Sequence, residues 1–403
     1  MKILIVSHQF YPLNSPRAFR WKSIYDDLKN KGHTVKIITG TFQEKSNDDI
    51  FFIGNQKSKT FINNVRTRSN QVDSNKMFIN FIYLILKKVY RLFYKTFAWP
   101  DYSMFWLYSV WKNRKHIDYQ YDVIISVSLP FSSHLAAYIL NKKNQKKWIM
   151  DIGDPFSLKE NAYENNKYLY KYLNFYIEKK FYNIAHQIIF THKESSDSHI
   201  KYFKINKEKI YIGSPISTFN DELFEASKSY KYNTLPIKLG YFGVLTKGVR
   251  SPENTLKFFK NSDFEFNWYT NPDSKLMVTQ NKINLDNHKF FDMVSRDEAL
   301  DKMTSSLHCL LSIGNLNPGQ LPSKIIEYIS TGKPVIHFAE IDDDPVIQIS
   351  KQFNNLIIVN TDSNLPELED KLNKIFLNID TFNKETFIKN YSAGAITSNL
   401  DIL

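Results

Sequence analysis

Along the first half of the chain, short β-branched or apolar runs alternate with stretches whose apolar residues recur at helical spacing. The runs are KILIVS (2–7), VKIITG (35–40), DVIISVS (122–128), KWIMDIG (147–153), QIIFTH (187–192) and KIYIGS (209–214). Alternation of this kind predicts a parallel sheet with crossover helices. Between the first two runs, Trp21, Ile24, Tyr25 and Leu28 mark one face of a helix over 16–31, and Gly32 follows as its terminator. After a polar stretch at 215–236 the same grammar restarts with IKLGYFGVL (237–245), FEFNWYT (264–270), KFFDMVS (289–295), HCLLSIG (308–314), KPVIHFA (333–339) and NLIIVNT (355–361). The expected architecture is therefore α/β, with two doubly wound parallel-sheet units in tandem and ligands held at the carboxyl ends of the strands. The expected division is 1–215, a linker at 216–236, a second domain at 237–382, and a C-terminal helix within 383–403 able to pack on the N-terminal domain.

Composition agrees with two packed domains. The chain has 403 residues, of which 42% are hydrophobic and 23% charged, far from the signature of disorder. Its one cysteine, Cys309, can form neither an internal disulfide nor a thiolate metal site. The apolar run in MKILIVSHQFYP is too short for a signal peptide, and FINFIYLIL (78–86) is too short for a membrane span. The expectation is a cytoplasmic protein, peripheral at most on the inner face of the membrane. Charge separates the halves: residues 1–215 carry 34 Lys and Arg against 17 Asp and Glu, and residues 216–403 carry 19 against 24. A basic first half suits an anionic partner.

Two segments of the second half carry candidate chemistry. In PSKIIEYISTGKPVIHF (322–338), Pro322 suits a first helical turn, and Ile325, Ile326 and Ile329 form a stripe that packs toward the sheet. Glu327 then points away from the stripe, where its carboxylate can accept two hydrogen bonds from a ribose diol. The amides of Ser323 and Lys324 at the helix start favour phosphate oxygens. In GYFGVLTKGVRSPENTLKFF (240–259), a strand leads through a glycine-bearing loop to a helix opened by Ser251-Pro252, placing Lys247 and Arg250 where a diphosphate would meet charge and helix start together. No Walker pattern is present.

The pattern P-S-K-x-x-E-Y-x-x-x-G-K-P-V closely resembles the donor-site signature of GT-B glycosyltransferases of family 4. The resemblance implies a GT-B fold, two Rossmann-like domains facing a central cleft, and a metal-independent, retaining transfer from a nucleoside-diphosphate sugar with no further cofactor. It assigns Glu327 to the donor ribose and Pro322, Ser323 and Lys324 to the donor site. The Y-x-G-x-L loop of such transferases corresponds to Tyr241–Leu245, which assigns Gly243, Lys247 and Arg250 to the leaving pyrophosphate. Residues 121–156 resemble the acceptor-domain segment, with S-x-H giving His134 and D-x-R-D-x-W giving Asp154. Within 8–20, Arg17 and Arg20, one helical turn apart, read either as ligands of an acceptor phosphate or, Arg20 above all, as exposed helix cations, and His134 is a further candidate acceptor contact. The implied catalytic set is His134, Asp154, Lys247 and Arg250. The sequence departs from the pattern at Gly319, where many relatives have a first glutamate, at Gly153 and Phe156, where they have Arg and Trp, and at Asn14-Ser15-Pro16, where they often have paired glycines.

Residues 57–116 hold 12 Lys and Arg against only Asp73 and Asp101. An amphipathic basic helix within 78–95, together with WPDYSMFW (99–106), fits an anionic membrane surface that would present a lipid-linked acceptor. A buried helix with a solvated basic face fits the same pattern. Nucleic acid fits poorly, because the aromatics lie on the apolar face. Histidine spacing suggests no metal site, and Asp342-Asp343-Asp344 reads as a solvated turn. The expected role is assembly of capsule, O-antigen or another surface polysaccharide. A sugar-nucleotide epimerase or phosphorylase on the same scaffold, or a non-catalytic binding module, are the alternatives.

Overall fold

The computed structural model describes all residues except 14, 43–47, 55–95, 118, 160–162, 231, 233, 282–283, 317–320, 323, 379–381 and 402–403. The chain divides into two compact units, Met1–Gly213 with Thr397–Leu403, and Ser214–Ile396.

In the first unit, seven strands run parallel in the order β3-β2-β1-β4-β5-β6-β7. They are β1 (Lys2–Val6), β2 (Thr34–Thr39), β3 (Ile50–Phe52), β4 (Val123–Val127), β5 (Lys147–Ile152), β6 (Gln187–Phe190) and β7 (Ile210–Ile212). Helices cover the connections: α1 (Pro16–Asn30), α2 (Met104–Asn113), α3 (Ser132–Asn144), α4 (Lys167–Ile184) and α5 (Lys193–Phe203). Every residue of β4 is buried, as a central strand covered on both faces must be. Such burial is worth about 1.5–3 kcal/mol for each large aliphatic side chain. The strand order reverses between β1 and β4, so the loops leaving these strands, 7–15 and 128–131, meet at the sheet's switch point.

The second unit repeats the plan with six parallel strands in the order β10-β9-β8-β11-β12-β13. These are β8 (Lys238–Phe242), β9 (Glu265–Tyr269), β10 (His288–Phe291), β11 (Cys309–Ile313), β12 (Val335–Phe338) and β13 (Leu356–Val359). The helices are α6 (Asp221–Lys228), α7 (Glu253–Phe258), α8 (Pro272–Thr279), α9 (Arg296–Ser305), α10 (Ile325–Ser330), α11 (Val346–Ser350), α12 (Leu365–Leu377) and α13 (Lys384–Tyr391). Here the order reverses between β8 and β11, bringing the residues that leave these strands, 243–252 and 314–316, to the switch point.

All twelve runs read from the sequence contain strands, most of them trimmed at their ends, with β2 and β10 starting one residue earlier than read. β3 was hidden because it is three residues long and lies inside a polar stretch. The segment 216–236, expected as a linker, instead folds into the second unit and contributes α6. Phe224 of α6 explains Gly332: that residue has φ +73°, and a Cβ there would lie 2.3 Å from Phe224 Cε2. The single helix expected near the C-terminus is two, α13 and a short helix Ala393–Thr397. Phe387 and Tyr391 of α13 lie in the core of the second unit, while Thr397–Leu403 belongs to the first. The basic helix expected at 78–95 lies outside the described residues.

Candidate functional site

At the switch point of the second unit, Gly243 follows β8 with φ +153° and Gly248 has φ +77°, backbone conformations that favour glycine. Between them the chain doubles back, with Thr246 and Arg250 exchanging backbone hydrogen bonds of 3.2 and 2.8 Å. This turn fixes Arg250, whose Nε and Nη2 both donate to Asn315 Oδ1, at 3.2 and 2.9 Å. Leu316 N donates to Val249 O at 2.8 Å, so the loops leaving β8 and β11 are tied together. Lys247 is exposed at the tip of the same turn.

Behind that tie lies a buried chain that the sequence reading missed. His337 Nδ1 meets Ser312 Oγ at 2.9 Å, His337 Nε2 meets Asp344 Oδ2 at 3.1 Å, and Asp344 Oδ1 accepts from Val346 N at 2.9 Å. Asp344 is thus interior, not part of a solvated turn as expected, whereas Asp342 and Asp343 are exposed. It also presses on Gly314, where a Cβ would come within 2.5 Å of Asp344 Oδ2. Three consecutive aspartates give no sequence signal for which one turns inward.

Glu327 sits in the first turn of α10. Ile325, Ile326 and Ile329 are buried as expected, and the carboxylate is 12% exposed. Its Oε1 accepts from Arg296 Nε at 2.7 Å and its Oε2 from Lys324 Nζ at 3.2 Å. Arg296 was not anticipated, since it opens α9, a separate helix, and no spacing links it to Glu327. The two cations fix the direction of the carboxylate, Arg296 from one side and Lys324 from the other. The helix starts later than expected, at Ile325, with Pro322 buried just before it, while Ser323, Gly319 and Gln320 lie outside the described residues. Lys324 at the N-cap of α10 and Pro252 at that of α7 give no side-chain cap, although Ser251 Oγ reaches Glu253 N at 3.4 Å.

The switch point of the first unit is built differently. Arg17 Nη1 donates to Asp151 Oδ2 at 2.8 Å, and Trp21 Nε1 donates to the same oxygen at 2.8 Å. Arg20 lies 3.9 Å from Asp151 Oδ1 and donates from Nη2 to Gly213 O at 3.1 Å. Arg20 is therefore an interior residue and not the acceptor ligand expected; burial pulls its pKa down, against the pull of Asp151. Arg17 is 15% exposed and overlies Gly153, where a Cβ would fall 1.1 Å from its Nη2. Glycine at 153, one of the departures from the expected pattern, makes room for this arginine.

His134 likewise differs from its expected role. It is wholly buried at the start of α3, with Nδ1 2.6 Å from Ser126 Oγ, and desolvation with Arg17 nearby pushes its pKa down to about 3. A neutral, enclosed imidazole is a poor proton carrier to a solvent-borne acceptor. Its neighbour Ser132 donates from N and Oγ to Asp101, at 2.8 Å each, so a buried carboxylate already occupies the start of α3. Asp154 remains partly exposed just beyond β5. Phe156 stacks on Phe131 at 4.1 Å inside the core.

No family model matches the chain, and no curated protein matches it in sequence. Solved structures do. Sucrose-phosphate synthase from Thermosynechococcus elongatus aligns at TM-score 0.62 and 11% identity over 98% of this chain and 96% of that one. HepE of Anabaena, solved in complex with UDP-glucose, aligns at 0.57 and 10% identity over 99% and 97%. The lipopolysaccharide outer core galactosyltransferase WaaB aligns at 0.55 and 12% identity over 99% and 100%. The fold is that of the GT-B glycosyltransferases, two all-parallel α/β domains.

Proposed function

We propose that the protein is a glycosyltransferase that binds a nucleoside-diphosphate sugar at the switch point of its second unit and transfers the sugar to an acceptor hydroxyl held by the first. The observation that carries this reading is Glu327, a carboxylate fixed between Arg296 and Lys324 one loop away from Arg250. Glu327 takes the ribose hydroxyls, and Arg250 and Lys247 take the diphosphate. Gly243 lets the backbone come close to it, and Pro322, Ser323 and Lys324 bring the start of α10 to the phosphates.

Breaking the bond from sugar to diphosphate leaves positive charge on the sugar ring and adds negative charge to the departing diphosphate. Arg250, held in advance by Asn315, stabilises that growing charge without reorganising. Its help is greater in the transition state than in the ground state. The reading takes transfer to be retaining and to need no metal, since Lys247 and Arg250 supply positive charge at the diphosphate. His134 is left out as acid or base because of its burial, and the reading assigns contact with an acceptor to Asp154, which is partly exposed just beyond β5. Arg17, partly exposed beside Asp151, is the remaining candidate for an anionic acceptor.

UDP-sugar as donor is favoured by the UDP-glucose complex of the similar HepE. Surface-polysaccharide assembly is favoured by the likeness to a lipopolysaccharide transferase. A lipid-linked acceptor is favoured by α2, which exposes Phe105, Tyr108 and Trp111 and is followed by Arg114 over the Trp111 ring at 4.7 Å. No helix among the described residues is long and apolar enough to cross a membrane.

A thermal-shift panel of UDP-, GDP-, ADP- and CMP-sugars tests the reading. One donor at a hundredfold over its Kd should add about 2.7 kcal/mol of stability. A panel in which no nucleotide sugar raises the Tm would reject it in favour of a non-catalytic module.

A further inference from the structure

Helix α4 carries a surface that the donor-site reading does not use. Tyr168, Leu169, Tyr172, Leu173 and Tyr176 recur at the spacing of one helix face, spanning about 12 Å. The three tyrosines are 96%, 83% and 63% exposed, and both leucines are exposed as well. A soluble surface scatters such residues singly and seldom gathers five on one stripe. The stripe is not a misplaced core face, because the opposite side of the helix is already anchored. There Asn174 Oδ1 accepts from Trp99 Nε1 at 3.0 Å, and the buried Phe181 stacks on Phe131 at 5.8 Å. Tyr170 OH donates to Phe97 O at 3.1 Å, which sets Phe97, itself 56% exposed, beside the helix.

Charge on the helix has one sign toward solvent. It carries Lys167, Lys171, Lys179 and Lys180, while its single acid, Glu178, is buried and accepts from Tyr182 OH at 2.6 Å and Ser157 N at 3.1 Å.

We propose that this face of α4 docks on an anionic lipid bilayer, lying in the headgroup layer parallel to the surface. Tyrosine rings suit that boundary because the ring is apolar and the hydroxyl stays wet. Lysine stems extend along the apolar edge and deliver their ammonium groups to lipid phosphates. A second copy fits less well, since pairing this face with itself would set lysines against lysines. Single-stranded nucleic acid fits less well because Leu169 and Leu173 interrupt any ladder of stacking rings. The inference goes beyond the transferase reading and does not depend on it, as a dissolved acceptor would leave it standing.

Sedimentation of the full chain with phosphatidylcholine vesicles and with vesicles enriched in phosphatidylglycerol decides it. The wild type should sediment with the anionic vesicles alone, and the combined variant Tyr168→Ser, Tyr172→Ser, Tyr176→Ser should bind them at least about tenfold more weakly. Lys171→Gln and Lys179→Gln should each weaken binding about fivefold. An unchanged Tm for each variant separates loss of the surface from loss of fold. Wild-type protein that stays in solution, a tyrosine variant that sediments like the wild type, or a wild-type dimer or oligonucleotide complex abolished by the tyrosine changes would overturn the proposal. A nucleotide-sugar shift that fails while vesicle binding holds would count against the transferase reading alone.

Discussion

The two switch points share a topology and differ in what fills them. In the first unit the charges are spent internally: Asp151 is enclosed by Arg17, Arg20 and Trp21, and Asp101 caps α3 with a carboxylate. In the second unit Arg250 is braced by one neutral amide, Lys247 stands on an exposed turn, and the carboxylate at α10 is paired with a lysine that solvent reaches. An interior that satisfies its own ions gains rigidity, and a rim that leaves cations without carboxylates stays open to an anion. The fold offers two equivalent places; side chains fill the first largely with internal ion pairs and leave cations open to solvent at the second, where the donor is proposed to bind.

Four changes would break or sharpen that contrast. Asp151→Ala has the largest expected effect: it leaves Arg20 buried without its counter-charge and should cost about 3–5 kcal/mol, read from the denaturant midpoint, with nucleotide binding by the folded protein unaltered. If stability hardly moves, the first switch point is not the rigid scaffold described. Arg250→Ala should lower turnover by about 2.7–4 kcal/mol in barrier terms while weakening donor binding much less, as steady-state kinetics and calorimetry would separate. Equal losses in both would make Arg250 a simple binding residue.

Gly153→Ala comes next. Its Cβ would collide with Arg17, so displacing the guanidinium should cost about 1–3 kcal/mol, and adding Arg17→Gly should recover part of the loss. Strictly additive effects in that double-mutant cycle would refute the overlap.

The smallest effects per step of the measurement are in pH dependence, and they fall on opposite sides of neutrality. His134 is buried neutral with its pKa down at about 3, and His199 at about 4, so the unfolded chain binds more protons between those values and 6.5. Stability of the first unit should be complete above pH 6.5 and fall as acid is added, by up to about 1.4 kcal/mol per pH unit for each histidine. In the second unit Lys333 is enclosed, with Nζ 3.6 Å from the centre of the Tyr230 ring, and burial pushes its pKa down to about 7. Between pH 7 and 10.5 the unfolded chain again binds the extra proton, so stability should climb with pH, and Lys333→Met should flatten that climb. A slope unchanged in Lys333→Met would show that this lysine does not carry the climb.

How much of this was legible in sequence follows from how local each signal is. Strands buried on both faces announce themselves as apolar runs, so both sheets could be read, and Glu327 stood out because Ile325, Ile326 and Ile329 fixed which way it must point. Ion pairs that join separate elements left no such trace. Arg17 and Arg20, one turn apart on a helix, read as exposed cations until Asp151, far along the chain, is brought beside them. Arg296 and Asp101 were missed for the same reason, and His134 matched a motif whose chemistry its burial does not support.

Glu327 is the proposed ligand of the donor nucleotide on which the assignment of the second switch point depends most. Calorimetric titration of UDP into the wild type and into Glu327→Ala tests it directly. Saturable binding at one site in the wild type, weakened at least about tenfold in the variant at unchanged Tm, is the expected result, given the strength of hydrogen bonds to a charged group. Equal affinities in the two proteins would contradict it.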